Sequence, residues 1–126
     1  MFAVHPVDKT AILERARARY GTEPEALWTR FPNHLALRHR ENRRWYALLM
    51  EVPARSLGLP GEGRVDILNV KCDPLLVGSL RQNPGILPAY HMNKDSWVSI
   101  LLDGSVEGEA IFDLLEMSYR LTQGRR

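Results

Sequence analysis

The sequence predicts an α+β fold: a two-layer sandwich in which an antiparallel sheet carries helices packed on one face. Three observations lead there. Apolar residues recur at helical spacing near both ends of the chain, around residues 7–20 and 107–122. Segments of strand character lie between them, at residues 35–39, 44–51, 64–71 and 97–102. No β-α-β unit repeats regularly, which argues against a doubly wound parallel sheet.

The first helix is expected over residues 7–20. Asp8 sits near its start, where an anion suits the helix dipole, and Gly21 follows its end. Ile12, Ala16 and Tyr20 form one apolar stripe, with Val7 and Ala11 beside it and Arg15, Arg17 and Arg19 turned to water. Thr22-Glu23-Pro24-Glu25 has the spacing of a capping box and predicts a short helical turn before Trp28. Phe31-Pro32-Asn33 breaks the chain. Residues 35–39 then read as a strand, 40–43 as a turn and 44–51 as the return strand of a β-hairpin with a basic tip.

Residues 53–63, with Gly58, Pro60 and Gly61, form a loop. In the third strand, 64–71, Asp66, Leu68 and Val70 share one face and Ile67, Asn69 and Lys71 the other. Asp73-Pro74 combines an N-cap acceptor with proline at the first helical position, so a second helix starts there. It runs to about residue 82 and stops at Asn83-Pro84-Gly85. Residues 86–95 are expected as a loop and 97–102 as the last strand. The final helix, 107–122, turns Ile111, Leu114, Leu115, Ser118 and Leu121 to the core.

Composition bounds the function. The chain has 126 residues, 44% hydrophobic and 25% charged, which suits a single domain, residues 1–126, with one core. No apolar run approaches the roughly 18 residues of a membrane helix, so no membrane partner is expected. The segment Met1–Pro6 lacks the basic start and apolar stretch of a secretory signal. One cysteine, Cys72, excludes an internal disulfide and a cysteine metal cluster. A cytoplasmic location is the simplest expectation.

The formal net charge is only +2, but the charges are sorted. Residues 30–44 carry Arg30, Arg38, Arg40, Arg43 and Arg44 against Glu41, and His34 and His39 can add charge below about pH 6.5. Residues 103–116 carry Asp103, Glu107, Glu109, Asp113 and Glu116 with no Lys or Arg, and Arg120, Arg125 and Arg126 follow. Such a dipole can turn its basic side to a polyanion. The competing reading is two solvated surfaces with scattered counter-charges.

Tyr20-Gly21-Thr22-Glu23-Pro24-Glu25, Arg38-His39 with Asn42-Arg43-Arg44-Trp45-Tyr46, Asn69-Val70-Lys71-Cys72-Asp73-Pro74, Gly78-Ser79-Leu80-Arg81, and Pro88-Ala89-Tyr90-His91-Met92-Asn93-Lys94 with Trp97 stand along nearly the whole chain. Together they resemble the MmcQ/YjbR family. The resemblance implies a CyaY-like topology, akin in shape to frataxin and to a double-wing domain of a phage transcription factor. It also implies the DNA-binding role with which the family is commonly labelled. Frataxins carry an acidic ridge along the first helix and strand. Here Asp8 and Glu14 stand among Lys9, Arg15, Arg17 and Arg19, so iron donation does not carry over.

Two constellations are candidate sites. The first is the hairpin, where Arg38, Arg40, Arg43 and Arg44 can contact phosphates through their guanidinium forks. Lys71 and Lys94 would add charge, and Trp97 a stacking surface. The competing role is to guard an edge strand against aggregation. The second constellation is Asn69, Lys71, Arg81, Tyr90, His91, Asn93, Lys94 and Trp97. Polar donors beside aromatic rings there suit a small anionic or nucleotide-like ligand, or a protein partner. The competing role is packing and turn formation.

Other chemistries find little footing. His5, His34, His39 and His91 lack ligand spacing, so no metal is expected. The acids of residues 103–116 read as a solvated helix face. No G-x-S-x-G elbow, paired catalytic carboxylates or phosphate-cradling glycine loop occurs. Cys72 with His91 is a conceivable nucleophile and base, but a strand end before a helix also suits a buried small residue. The expectation is a DNA-binding or regulatory module without a cofactor and without catalysis. The alternative is a small-molecule or protein-binding domain using the Tyr90–Trp97 region.

Overall fold

Asp8 starts the first helix as its sequence position suggests. In the computed structural model, which describes residues 7–124, its carboxylate accepts from the Ala11 N–H at 2.9 Å. The helix, α1, spans Lys9–Tyr20 and ends on Gly21 in the left-handed conformation at φ 67°. Then follow β1 (Leu35–Arg38), β2 (Trp45–Pro53), β3 (Arg64–Lys71), α2 (Pro74–Leu80), β4 (Ile86–Pro88), β5 (Trp97–Leu101) and α3 (Gly108–Leu121). The Met1–Pro6 segment and the basic pair Arg125 and Arg126 lie outside the described residues.

The sheet has the order β1-β2-β3-β5-β4, and every neighbouring pair is antiparallel. One face packs Leu37, Leu49, Leu68, Val70, Val98 and Ile100 against Ile12 of α1 and Ile111 and Leu115 of α3. That is the expected two-layer α+β arrangement. On the opposite face Val52, Ile67 and Leu101 are covered by Leu57 of a short 3-10 helix, Ala54–Leu57, and by the loop residues Leu59 and Tyr90. Among the described residues no α-helix covers this second face.

Two elements differ from expectation. The capping box at 22–25 opens no helix. The Thr22 hydroxyl meets the Tyr46 hydroxyl at 2.6 Å, and Glu25 forms a strand-like bridge with Ala36. Tertiary partners have taken the groups a helix would have used. Residues 86–88, expected in a loop, form the edge strand β4, because Ile86, Leu87 and Pro88 pair with Ile100, Ser99 and Val98. Gly85 makes this entry possible. At its φ of 87°, a Cβ would stand 2.7 Å from Ser105 Cβ, so a side chain is excluded. Leu121, expected in the core, is largely exposed at the end of α3.

A register shift between Leu37 and Arg38 places Tyr46 as the extra residue of a bulge, and it joins the helix-side core with Ala47. Its ring meets those of Tyr20 and Tyr119 edge-on at 5.7 and 4.9 Å, while Tyr20 and Tyr119 stack at 4.1 Å. These three rings fasten the hairpin to both long helices.

Candidate nucleic-acid interface

The arginine-bearing turn spans residues 39–44. The His39 N–H donates to the Arg44 carbonyl at 2.9 Å, and the Arg43 N–H donates to the His39 carbonyl at 3.1 Å. Arg43 sits in the left-handed region at φ 62°. Asn42 locks the tip from both sides. Its Oδ1 accepts from the Arg44 N–H at 2.8 Å, and its Nδ2 donates to the Thr122 carbonyl at 3.0 Å. The tip is therefore moored to the end of α3 and is not a free wing.

His39 belongs to the same mooring. The Thr122 hydroxyl donates to the Ser118 carbonyl at 2.7 Å, so it accepts from Nε2–H of His39, also at 2.7 Å. Burial lowers the His39 pKa from its ordinary value. The expectation that His39 adds positive charge in mild acid is thus corrected: its site disfavours the cation.

Two of the four hairpin arginines are already engaged. Arg38 grips Glu25 through Nε and Nη2 at 3.1 and 2.7 Å. Arg43 Nη2 reaches both Glu25 oxygens at 2.9 and 3.0 Å. The Arg38 hydrogen bonds above all hold the Glu25 carboxyl below its ordinary range. Arg40 and Arg44 are exposed and form no ion pair among the described residues. The expectation of four phosphate-ready arginines is corrected to two, plus two closed onto one carboxylate.

The sheet brings the remaining cations to the same end. Arg38 pairs in register with Trp45, and Lys71 with Trp97. Because β1 and β3 end where β2 and β5 begin, all four residues lie at one end of the sheet. Strands are spaced about 4.8 Å apart, so Arg38 and Lys71 are roughly 10 Å apart at the backbone. The exposed Lys94 lies in the loop that enters β5 at this end. Arg81 does not join them. It follows α2, near the turn whose Gly85 accepts from Leu101 at the far end of β5.

Three further candidates serve the fold. Asn69 is fully buried: the Ser99 hydroxyl donates to its Oδ1, and its Nδ2 donates to the Tyr90 carbonyl at 3.0 Å. The Tyr90 N–H closes the triangle on Ser99 Oγ at 2.9 Å. Asn69 has no open group for a ligand, so its assignment to a binding set is corrected. Trp97, only 9% exposed, cannot offer a ring face for stacking. Asn93 forms a turn, its Oδ1 accepting from the Asp95 N–H at 2.8 Å and its carbonyl from the Trp97 N–H at 3.0 Å. His91 is exposed at φ 60° and stacks on Tyr90 at 3.9 Å.

The acidic helix also departs from a purely solvated face. Glu116 accepts from Arg19 at 2.9 Å, from Arg120 at 2.8 Å and from the Tyr20 hydroxyl. These hydrogen bonds pull its pKa down from 4.5 to about 2. Cys72 is buried, and burial raises its thiol pKa. Among the described residues, no three His, Cys, Asp or Glu side chains gather where they could hold a metal, and no helix is long and apolar enough to cross a membrane.

The YjbR family model matches residues 17–121. The chain belongs to the YjbR family. It is 43% identical over 112 residues to the uncharacterized protein YyaQ of Bacillus subtilis, covering 89% of this chain and 95% of that one. A crystal structure of a Pseudomonas syringae protein matches at a TM-score of 0.90 and 44% identity, over 92% of this chain and 99% of that chain. A Deinococcus radiodurans protein with a DUF419 domain matches at a TM-score of 0.62 and 28% identity, over 83% of this chain and 72% of that chain. The YjbR match spans Glu25, the hairpin and the β3–β5 end, so the whole candidate interface lies inside the family domain.

One feature of this YjbR domain escaped sequence reasoning. Trp28 and Trp45 meet edge-to-face at 5.7 Å on the helix-free face and line a cavity of about 320 Å³. They are 17 positions apart, and no local pattern links a loop tryptophan to a strand tryptophan.

Proposed function

We propose that this YjbR-family protein is a cytoplasmic nucleic-acid-binding module that holds duplex DNA by its phosphates without reading sequence. The observation that carries the reading is the convergence of Arg40, Arg44, Lys71 and Lys94 on one end of the sheet. Arginine forks and lysine point charges suit phosphate oxygens, and no helix at this end presents an obvious base-reading face. Glu41, Asp73 and Asp95 at the same end temper the potential, which favours modest affinity. The role is regulatory rather than catalytic: the single thiol is buried, and burial favours its protonated, unreactive form.

The test is duplex binding followed by fluorescence anisotropy across a salt series. Four phosphate contacts give a log–log slope of roughly −3.6, or about 150-fold weaker binding between 50 and 200 mM salt. Arg40→Glu with Arg44→Glu should abolish binding while the thermal midpoint stays within a few degrees. Salt-independent binding, or full binding by the double variant, refutes the reading.

A further inference from the structure

We propose that the groove on the helix-free face binds a small, flat, uncharged aromatic ligand that carries hydrogen-bond acceptors. This does not depend on DNA binding and uses a different surface. Trp45, Leu48 and Met50 of β2 form the floor, and the segment bearing Trp28 and His34 forms one wall. Tyr90 and Met92 form the other. The volume of about 320 Å³ lies at the small end of ligand cavities.

Four observations specify the occupant. The first is ring geometry. Trp28 meets Trp45 at 67° and His34 at 70°, with centroids 5.7 and 6.3 Å apart. Edge-to-face pairs leave the faces of the edge-donating ring open to a flat guest. The second is charge. Glu51 and Arg64 at the mouth pair with each other at 3.2 Å, and Arg64 Nη2 also donates to the Glu51 carbonyl at 2.9 Å. With Glu51 and Arg64 already paired, a charged guest would surrender its hydration for little return from either.

The third observation is an unmet hydrogen-bonding capacity. The indole N–H groups of Trp28 and Trp45 and the Tyr90 hydroxyl form no hydrogen bond within the protein among the described residues. None is sealed from solvent. Each is a donor ready for a carbonyl or ring nitrogen. The fourth is preorganisation. The buried Asn69–Ser99 pair clamps the Tyr90 backbone from both its N–H and its carbonyl, and His91 is held in the left-handed region with its ring stacked on Tyr90. A non-glycine residue fixed there at the rim of a cavity is a local cost that the surrounding structure sustains. A wall fixed before binding loses little entropy on binding.

The test is a titration of the full chain with coumarin, a neutral flat probe with a carbonyl acceptor, monitored by NMR of the three indole N–H resonances. The Trp28 and Trp45 signals should shift saturably below about 5 mM, while Trp97 stays in place. Benzoate and trimethylphenylammonium should bind at least tenfold more weakly. Trp28→Leu should weaken coumarin at least tenfold. Met92→Ala, in a loop, should weaken it severalfold without threatening the fold. Arg40→Glu with Arg44→Glu should leave it unchanged. Absence of a saturable shift, equal binding of either charged probe, or unaltered affinity in folded Trp28→Leu overturns the proposal.

Discussion

Glu25→Gln turns the hairpin geometry into a measurement. The substitution keeps the side-chain shape and removes the charge that Arg38 and Arg43 now share. Arg38 is 22% exposed and Arg43 51%, so both guanidinium groups can turn to solvent once released. If the basic end holds phosphates, two more cations become available, and the salt slope should steepen by up to roughly 1.8, from about −3.6 to about −5.4. Near 0.1 M salt each added contact strengthens binding by about eightfold, so affinity should rise by tenfold or more. The folded state should lose only about 0.5–2 kcal/mol, because both pairs are partly solvated and the backbone bridge from Glu25 to Ala36 remains. Duplex anisotropy across a salt series gives the slope, and urea denaturation gives the stability. An unchanged slope in a folded variant would refute this reasoning by showing that Arg38 and Arg43 never face the polyanion, and it would confine any phosphate contacts to Arg40, Arg44, Lys71 and Lys94.

Two further predictions concern stability. Glu116→Gln removes the carboxylate that joins Arg19, Tyr20 and Arg120 and should cost about 1–3 kcal/mol in urea denaturation at neutral pH. Because the Glu116 pKa lies at about 2 in the folded chain against 4.5 ordinarily, its contribution is complete above 4.5 and declines as pH falls towards 2. The variant should show a shallower acid limb, and an identical one would refute the assignment. His39 titrates in the opposite sense of charge. With its folded pKa below 6.5, the unfolded chain takes up the proton first, so stability is complete above 6.5 and falls as pH drops towards the folded value. His39→Gln should flatten the fall in thermal midpoint as pH drops below about 6.5.

The sequence reading succeeded where a local signal decides structure. Asp8, Gly21 and Asp73-Pro74 set helix ends through contacts within a few residues, and the structure has helices bounded there. Residues 64–71 carry the β-branched and apolar residues of a central strand, buried on both faces from Ile67 to Val70, and that strand matches its expected limits. The failures share one cause, long-range partners. Glu25 looks like an N-terminal helix residue until Arg38 and Arg43 arrive from 13 and 18 positions away. Residues 86–88 are too short for periodicity and become a strand only because β5 offers an open edge. Asn69 and Trp97 look like ligand contacts in sequence, and the central position of β3 and β5 buries both.

The same topology explains why the groove lies away from the helices, whereas the basic hairpin tip meets the C-terminal ends of α1 and α3. The faces of α1 and α3 that carry Ile12, Ile111 and Leu115 are spent on Leu49, Leu68 and Ile100, so that layer has little left to offer a partner. The other face carries no α-helix among the described residues, and its cover is uneven. Leu57, Leu59 and Leu87 close over Val52, Ile67 and Leu101, whereas Trp45 and Met50 on β2 remain at the bottom of a groove. Extending that cover would bury the indole N–H groups without partners, at about 1–3 kcal/mol each. An open groove with reachable donors is therefore the less costly arrangement for a sheet that places two tryptophans there. The strand ends where β1 and β3 finish carry Arg38 and Lys71, so the basic end of the sheet lies beside the groove as a separate surface.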